Sequence, residues 1–113
     1  MNKVAKPLKK LLQLHMGRAW EAELRAALGA LADRFDQWRS GVLTTEDLDS
    51  AVHEYHNGIA REIWKRYTGD DPALPLARAV ALGLIARESL PPEVLERIAP
   101  WLETLTRDTG EDD

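Results

Sequence analysis

The 113-residue chain contains no cysteine. This absence excludes disulfides and thiolate metal sites, and it is typical of a reducing compartment. Long hydrophobic runs are also missing, since the apolar stretches fall far short of the roughly 20 residues that a transmembrane helix needs. The N-terminus starts with positive charge, but Gln13 and His15 interrupt its leucines and no small-residue cleavage site follows. We therefore predict a soluble, cytoplasmic protein with neither a membrane span nor a signal peptide.

Signals for β-structure are scarce as well. Alternating apolar and polar runs are absent, and the hairpin-type pair Asn57-Gly58 lies inside a helical pattern. Apolar residues instead recur three and four positions apart, as in amphipathic helices. The sequence thus predicts an all-α fold with a single domain over residues 1–107. The acidic residues 108–113 have little to bury, so we expect a disordered tail there.

The apolar spacing predicts a long antiparallel hairpin made of helices over about 7–40 and 45–68. The first helix carries an apolar stripe of Leu24, Leu28, Leu31, Phe35 and Trp38. Ser40-Gly41 should end it. Thr44 is suited to cap the second helix, with Asp47 at the capping-box position. The short connection between the two helices favours antiparallel packing.

Two shorter helices should cover this hairpin. One is expected over about 72–87, with Asp71 as its N-cap and Gly83 indicating close packing or a break. The other is expected over about 92–107. Because proline clashes with the preceding helical turn, Pro100 should divide it into two pieces. Trp38 and Trp101 are predicted to lie in the core.

The predicted first helix is long for so small a domain. Over residues 7–40 it would measure about 50 Å, whereas a compact domain of this size is roughly 35 Å across. We therefore expect either a break near Gly17 or a projecting first part. A projecting part would bury Leu8 and Leu12 on a second copy of the chain, which predicts a homodimer.

The stretch over residues 48–67 holds the most polar and aromatic candidates for a site. Asp49, His53 and His56 follow the spacing i, i+4, i+7, and Trp64 and Tyr67 continue the same side of the helix. Two imidazoles and a carboxylate can bind a metal, or the carboxylate can orient a histidine as a general base. The two histidines are only three positions apart, which does not match the zinc-protease pattern. A hydrogen-bonded structural role is favoured, and a metal- or nucleotide-dependent enzyme is an alternative.

Other ionisable groups are weaker candidates. The acid pairs Asp33/Asp36 and Glu46/Asp49 have a spacing that can hold Mg²⁺ between neighbouring helices, but solvated surface acids are favoured. His15 lies on an apolar helical face, which indicates a partly buried, hydrogen-bonded histidine.

Basic residues without any acid mark the first 20 positions. They are Lys3, Lys6, Lys9, Lys10 and Arg18. Such a strip can meet nucleic acid or an anionic membrane surface. The pI of about 5.4 argues against a dedicated nucleic-acid binder, so nucleic-acid binding is a second alternative.

The sequence favours a binding protein over an enzyme, and no cofactor is predicted. The leading prediction is a small helical protein–protein interaction or regulatory module that forms a homodimer and binds another protein. Aromatic residues at the edges of the apolar stripes are typical anchors for a partner. The predicted partner-binding residues are Trp20, Trp64, Tyr67, Leu8, Leu12, Lys9 and Lys10.

Overall fold

A computed structural model describes residues 6–110, with side chains through residue 107. The helices are α1 (Lys6–Arg39), α2 (Thr45–Asn57), α3 (Ile59–Tyr67), α4 (Ala73–Ala81) and α5 (Pro92–Gly110), with a short 3-10 helix at Arg87–Ser89. Over residues 6–110 there is no β-strand, so the predicted all-α fold class is confirmed. None of the helices in this range is long and apolar enough to cross a bilayer.

Helix α1 packs antiparallel to α2 and α3, as predicted for the hairpin. Near the middle of α1, Glu23 accepts a bond from Arg66 at the end of α3, with a distance of 2.9 Å. Near the end of α1, the Trp38 indole donates to the Thr45 hydroxyl at the start of α2, at 3.0 Å. The end of α1 thus meets the start of α2 and the middle of α1 meets the end of α3, so the returning chain runs antiparallel to α1.

The turn between α1 and α2 is built from the predicted end and start signals. Gly41 has a φ of 85°, a conformation that glycine adopts without steric cost. The Val42 amide donates to the Gln37 carbonyl at 2.8 Å, which forms a Schellman motif that ends α1. The Thr44 hydroxyl accepts from the Asp47 amide at 3.0 Å and so caps α2.

The second helix of the hairpin is not continuous, contrary to the prediction over 45–68. It divides at Gly58, which has a φ of −105° and a ψ of −98°. A β-carbon built at Gly58 would lie 2.8 Å from the carbonyl oxygen of Glu54, so this turn requires glycine. The sequence pattern conceals the break because the apolar spacing of Tyr55, Ile59 and Ile63 continues across it.

The third predicted helix ends early, and Gly83 provides the physical reason. Helix α4 stops at Ala81, well before the expected end at 87. Gly83 adopts a φ of 81°, and the Leu84 amide donates to the Ala79 carbonyl at 2.8 Å. This is a second Schellman motif, so Gly83 marks the break rather than close packing.

Helix α5 continues through Pro100, so the predicted break there is wrong. Pro100 is exposed, and the carbonyl that loses its helical partner can therefore bond to water. Ile98 and Leu102, on either side of the proline, are buried and hold both parts of the helix in place. The helix also extends to Gly110, past the predicted end at 107. Residues 111–113 of the predicted tail lie outside the described residues.

The chain divides into two compact units. The first, here called the terminal unit, contains residues up to Trp20 and those from Gly69 onward, and the second, the hairpin unit, is Glu21–Thr68. In the terminal unit α4 packs on α5, and the buried residues include Leu12, Leu76, Val94 and Ile98. Helix α1 has no break at Gly17 and contributes residues to both units. A single domain over 1–107 stays a prediction.

Candidate functional site

The predicted metal ligands do not converge. The Nε2 atom of His53 lies 3.7 Å from the Asp49 carboxylate, and these side chains are 71% and 75% exposed. His56 is exposed as well. Across residues 6–110 no three histidine, aspartate or glutamate side chains are close enough to hold one metal ion. The Asp49–His53 contact therefore lies on the exposed surface of α2, and the metal- or nucleotide-dependent enzyme stays a prediction.

Trp64 is the most exposed of the aromatic candidates. Its side chain is 65% exposed on α3, although burial of an indole is strongly favourable. It borders a shallow groove with a volume of about 430 Å³. The residues that line this Trp64 groove are His56, Asn57, Ala60, Arg61 and Trp64. The groove combines an apolar aromatic wall with a guanidinium and polar groups, as protein-binding pockets often do.

The break at Gly58 positions the two sides of the Trp64 groove. His56 and Asn57 lie at the end of α2, whereas Ala60 and Trp64 lie four residues apart on α3. Residues with this spacing share one face of a helix. Because Ala60 has a small side chain, it leaves space beside the indole. The groove therefore depends on the angle that Gly58 introduces between the two helices.

Tyr67 does not belong to this surface, although the sequence analysis placed it among the partner-binding residues. It is only 7% exposed, and its hydroxyl donates to the Glu23 carboxylate at 2.5 Å. The same carboxylate accepts a bond from Arg66 at 2.9 Å. Sequence reasoning missed Glu23. The signal that could have found it is its place on one side of α1 four residues after Ala19 and four before Ala27, where an acid interrupts small apolar residues.

Two lysines of the N-terminal basic strip share a cleft with acids of their own unit. Lys6 and Lys9 line a cleft with Asp70, Asp71 and Arg97. Arg97 lies 3.2 Å from the Asp71 carboxylate. Carboxylates in the cleft lower the positive potential that nucleic-acid phosphates would meet there. Binding of nucleic acid stays a prediction with little support from this arrangement.

The remaining predicted contacts of the N-terminal helix differ in exposure. Lys9 and Lys10 are exposed, and Leu8 is half-buried. Leu12 is only 1% exposed, so it is a core residue of the chain itself and is not available to a partner. Lys3 lies outside the described residues.

His15 is a buried, hydrogen-bonded histidine, as predicted. It is 8% exposed, and its Nδ1 atom accepts a bond from the Arg18 guanidinium at 2.8 Å. Burial lowers the pKa of His15, and the positive charge of Arg18 lowers it further. Arg18 also donates to the Ser89 hydroxyl at 3.3 Å. Since all these groups satisfy one another, their arrangement is structural.

The apolar stripe of α1 is covered less than predicted. Leu12, His15 and Ala19 are the buried residues of α1, so none lies between residues 21 and 39. Leu28 is 46% exposed, and Trp38, predicted in the core, is 38% exposed. Trp101 on α5 was also predicted in the core and is 40% exposed, close to the 43% of Trp20. Helices α2 and α3 therefore cover only part of the stripe.

Comparison of the chain with protein-family models, with curated proteins and with solved structures gave no match. The class that the structure defines is therefore an all-α protein with a helical hairpin, an exposed aromatic groove and a half-covered apolar stripe.

Proposed function

We propose that this chain is a small cytoplasmic protein–protein interaction or regulatory module that acts without a cofactor. The observation that carries the proposal is Trp64, whose indole is 65% exposed beside a groove of about 430 Å³. Tryptophan is the residue type most enriched among those that dominate binding energy in protein interfaces. A partner that covers the indole gains the burial that the free chain lacks.

The chemistry of the groove indicates what the partner presents. Ala60 and Trp64 contribute apolar surface to the groove, and Arg61 contributes a cation to its lining. An apolar side chain flanked by a carboxylate fits this pattern, because a guanidinium pairs well with a carboxylate. An amphipathic helix with acidic flanks is a partner element of this kind.

Replacement of Trp64 tests the proposal. A tagged form of the 113-residue chain is used to isolate the partner from the native cell, and the complex is then reconstituted from purified components. We expect Trp64→Ala to weaken binding by about 2 kcal/mol or more, which is roughly thirtyfold in Kd. Isothermal titration calorimetry measures this difference.

Trp101→Ala is the matched control, because Trp101 is also a partly exposed tryptophan but lies on α5 in the other unit. The Trp101→Ala variant should bind the partner with the affinity of the wild type. Equal affinity of Trp64→Ala and the wild type for the reconstituted partner would refute the proposed surface.

The Arg61 guanidinium that lines the groove gives a second readout. Arg61→Glu should lower the affinity and flatten its dependence on salt, since a charge-assisted contact is lost. Lys65→Glu makes the same charge change on α3 at an exposed residue that does not line the groove. If both variants lose affinity equally, net charge is responsible and not the groove.

We further propose that two copies of the chain pair, as the sequence analysis suggests. The support is the half-covered stripe of α1, where Leu28 is 46% exposed. The Trp64 groove shares none of its lining residues with α1, so self-association and partner binding can be tested independently.

A further inference from the structure

The later part of α1 presents an apolar face that its own chain leaves open. Setting Leu28 at zero on a helical wheel of about 100° per residue, Leu24 lies near −40° and Phe35 near −20°. Leu24 and Phe35 are half-buried, and Leu28 is 46% exposed. We call Leu24, Leu28, Phe35 and the adjacent Leu31 the Leu28 face. Their spacing of four, three and four residues is that of a coiled-coil seam.

Each end of the Leu28 face has one ion pair of α1. At its start, Glu21 pairs with Arg25 at 2.8 Å, and at its end, Asp36 pairs with Arg39 at 3.2 Å. On the same wheel Glu21 and Arg39 both lie near 20°, and Arg25 and Asp36 lie near 60° and 80°. All four side chains are more than half exposed, so they can reorient toward a partner at little cost.

The order of these charges along α1 is self-complementary when a second helix runs in the opposite direction. If Leu24 of one copy meets Phe35 of the other, then Leu28 meets Leu31 of the other. In that register Glu21 lies one residue out of line with Arg39, and Arg25 lies two residues out of line with Asp36, offsets of about 1.5 Å and 3 Å that these long side chains can span. Both meetings occur twice because the arrangement is symmetric. In a parallel arrangement, in contrast, each of these charges lies at the level of the same charge in the other copy, so opposite charges are not brought together.

We infer that the occupant of the Leu28 face is a second copy of this chain, bound antiparallel along α1 with Glu21–Arg39 and Arg25–Asp36 contacts between copies. This inference rests on the proposed self-association and names its surface and register. The apolar centre supplies the burial, since the hairpin unit has only Leu48, Ile63 and Tyr67 as buried residues of its own, and every residue of that unit is described. The charges at both ends select the antiparallel direction.

Two double variants test the register without disturbing the single chain. The first, Glu21→Arg with Arg25→Glu, reverses the ion pair at the start of the face but keeps it as a pair. The second, Asp36→Arg with Arg39→Asp, does the same at the end. Each variant places like charges opposite one another in its own dimer. We expect the wild type to dimerise and each variant to show at least a tenfold larger dissociation constant by analytical ultracentrifugation.

A mixture of the two double variants gives the decisive result. In the mixed dimer the reversed pair of one copy meets the reversed pair of the other, and the two original pairs meet each other. All four contacts between copies therefore join opposite charges again. We expect the mixture to recover dimers close to the wild-type strength, and high salt to reduce the differences among the samples. Circular dichroism should show close to the wild-type helix content for both variants, because arginine and glutamate are good helix formers and Arg39→Asp changes only the last residue of α1.

Three results would overturn the inference. If the wild-type chain stays monomeric at high concentration, no second copy covers the Leu28 face. Double variants that dimerise as the wild type does place the dimer contact elsewhere. A mixture that stays monomeric rejects the antiparallel register. Trp64→Ala, in contrast, should leave the dimer intact, so failure of partner binding through the Trp64 groove is distinguishable from failure of this inference.

Discussion

Glu23 determines how α1 meets α3 within the hairpin unit. Its side chain is 12% exposed and that of Arg66 is 24% exposed. Removing a charge from water is costly unless hydrogen bonds satisfy it. The carboxylate has both a guanidinium and the Tyr67 hydroxyl as donors, so one acid fixes two residues of the returning helix.

Replacement of Glu23 should therefore destabilise the protein. Glu23→Ala removes the acceptor that Arg66 and Tyr67 share, and we expect the free energy of unfolding to fall by about 3 kcal/mol. Urea denaturation measures the loss. Glu103→Ala is the control, because its ion pair with Arg107 is exposed and contributes less than about 1 kcal/mol. Similar losses of unfolding free energy in both variants would mean that burial of the Glu23–Arg66 pair adds nothing to stability.

His15 links the stability of the protein to pH. Burial lowers its pKa from the ordinary value of 6.5, with a further contribution from Arg18, so the folded state favours the neutral ring. Its contribution to stability is then fully present above pH 6.5 and is lost as the pH falls through the lowered pKa of the folded state. We expect the free energy of unfolding to decline on mild acidification, before most carboxylates titrate.

His15→Gln should flatten this decline, because the replacement does not titrate. His56→Gln is the matched control, since it makes the same substitution at an exposed histidine and tests whether the flattening is specific to the buried position. The measurement is a series of urea denaturation curves from neutral pH into the mildly acidic range. An unchanged slope in His15→Gln would assign the pH dependence to another group.

At the scale of the helices, glycine has opposite roles at two positions. Gly17 lies inside the continuous α1, and a β-carbon there would meet nothing within 4 Å. Gly58 separates α2 from α3, and a β-carbon there would lie 2.8 Å from the Glu54 carbonyl oxygen. The first glycine only weakens a helix, whereas the second is required by a turn.

The two alanine variants should accordingly change stability in opposite directions. We expect Gly17→Ala to stabilise the protein by about 0.5–1 kcal/mol, which is the cost of glycine in a helix interior. Gly58→Ala forces the turn to shift and should destabilise it by about 1–3 kcal/mol. Thermal and urea denaturation measure both. If Gly58→Ala were as stable as the wild type, the chain could continue as one helix through residue 58.

At the scale of the whole molecule, the sequence predicts helices well because their signals are local. The caps at Thr44 and Gly41 and the apolar spacing are read from neighbouring residues, and the structure contains the hairpin that they imply. The break at Gly58 was missed because the apolar spacing passes through it. Pro100 led to the opposite error, a predicted break that α5 does not have, because burial on both sides of a proline can hold a helix together.

The candidate site was predictable only in part. A helical wheel placed Trp64 and Tyr67 on one strip, yet Trp64 is 65% exposed and Tyr67 is 7% exposed. Periodicity gives the face on which a residue lies but not the neighbour that covers it. The neighbour of Tyr67 is Glu23, which is 44 positions away in sequence. Such distant contacts follow from the packing of helices, which a single sequence does not specify.

The hydrogen bond between Glu23 and Tyr67 also has a consequence for how this chain can change in length. The hairpin unit runs from Glu21 to Thr68, and this bond shows that its two ends lie side by side. A segment whose ends are adjacent has the geometry of an insertion, because its length can vary without changing the gap that the rest of the chain must bridge. Helix α1 and its returning partner can thus lengthen or shorten together in whole turns.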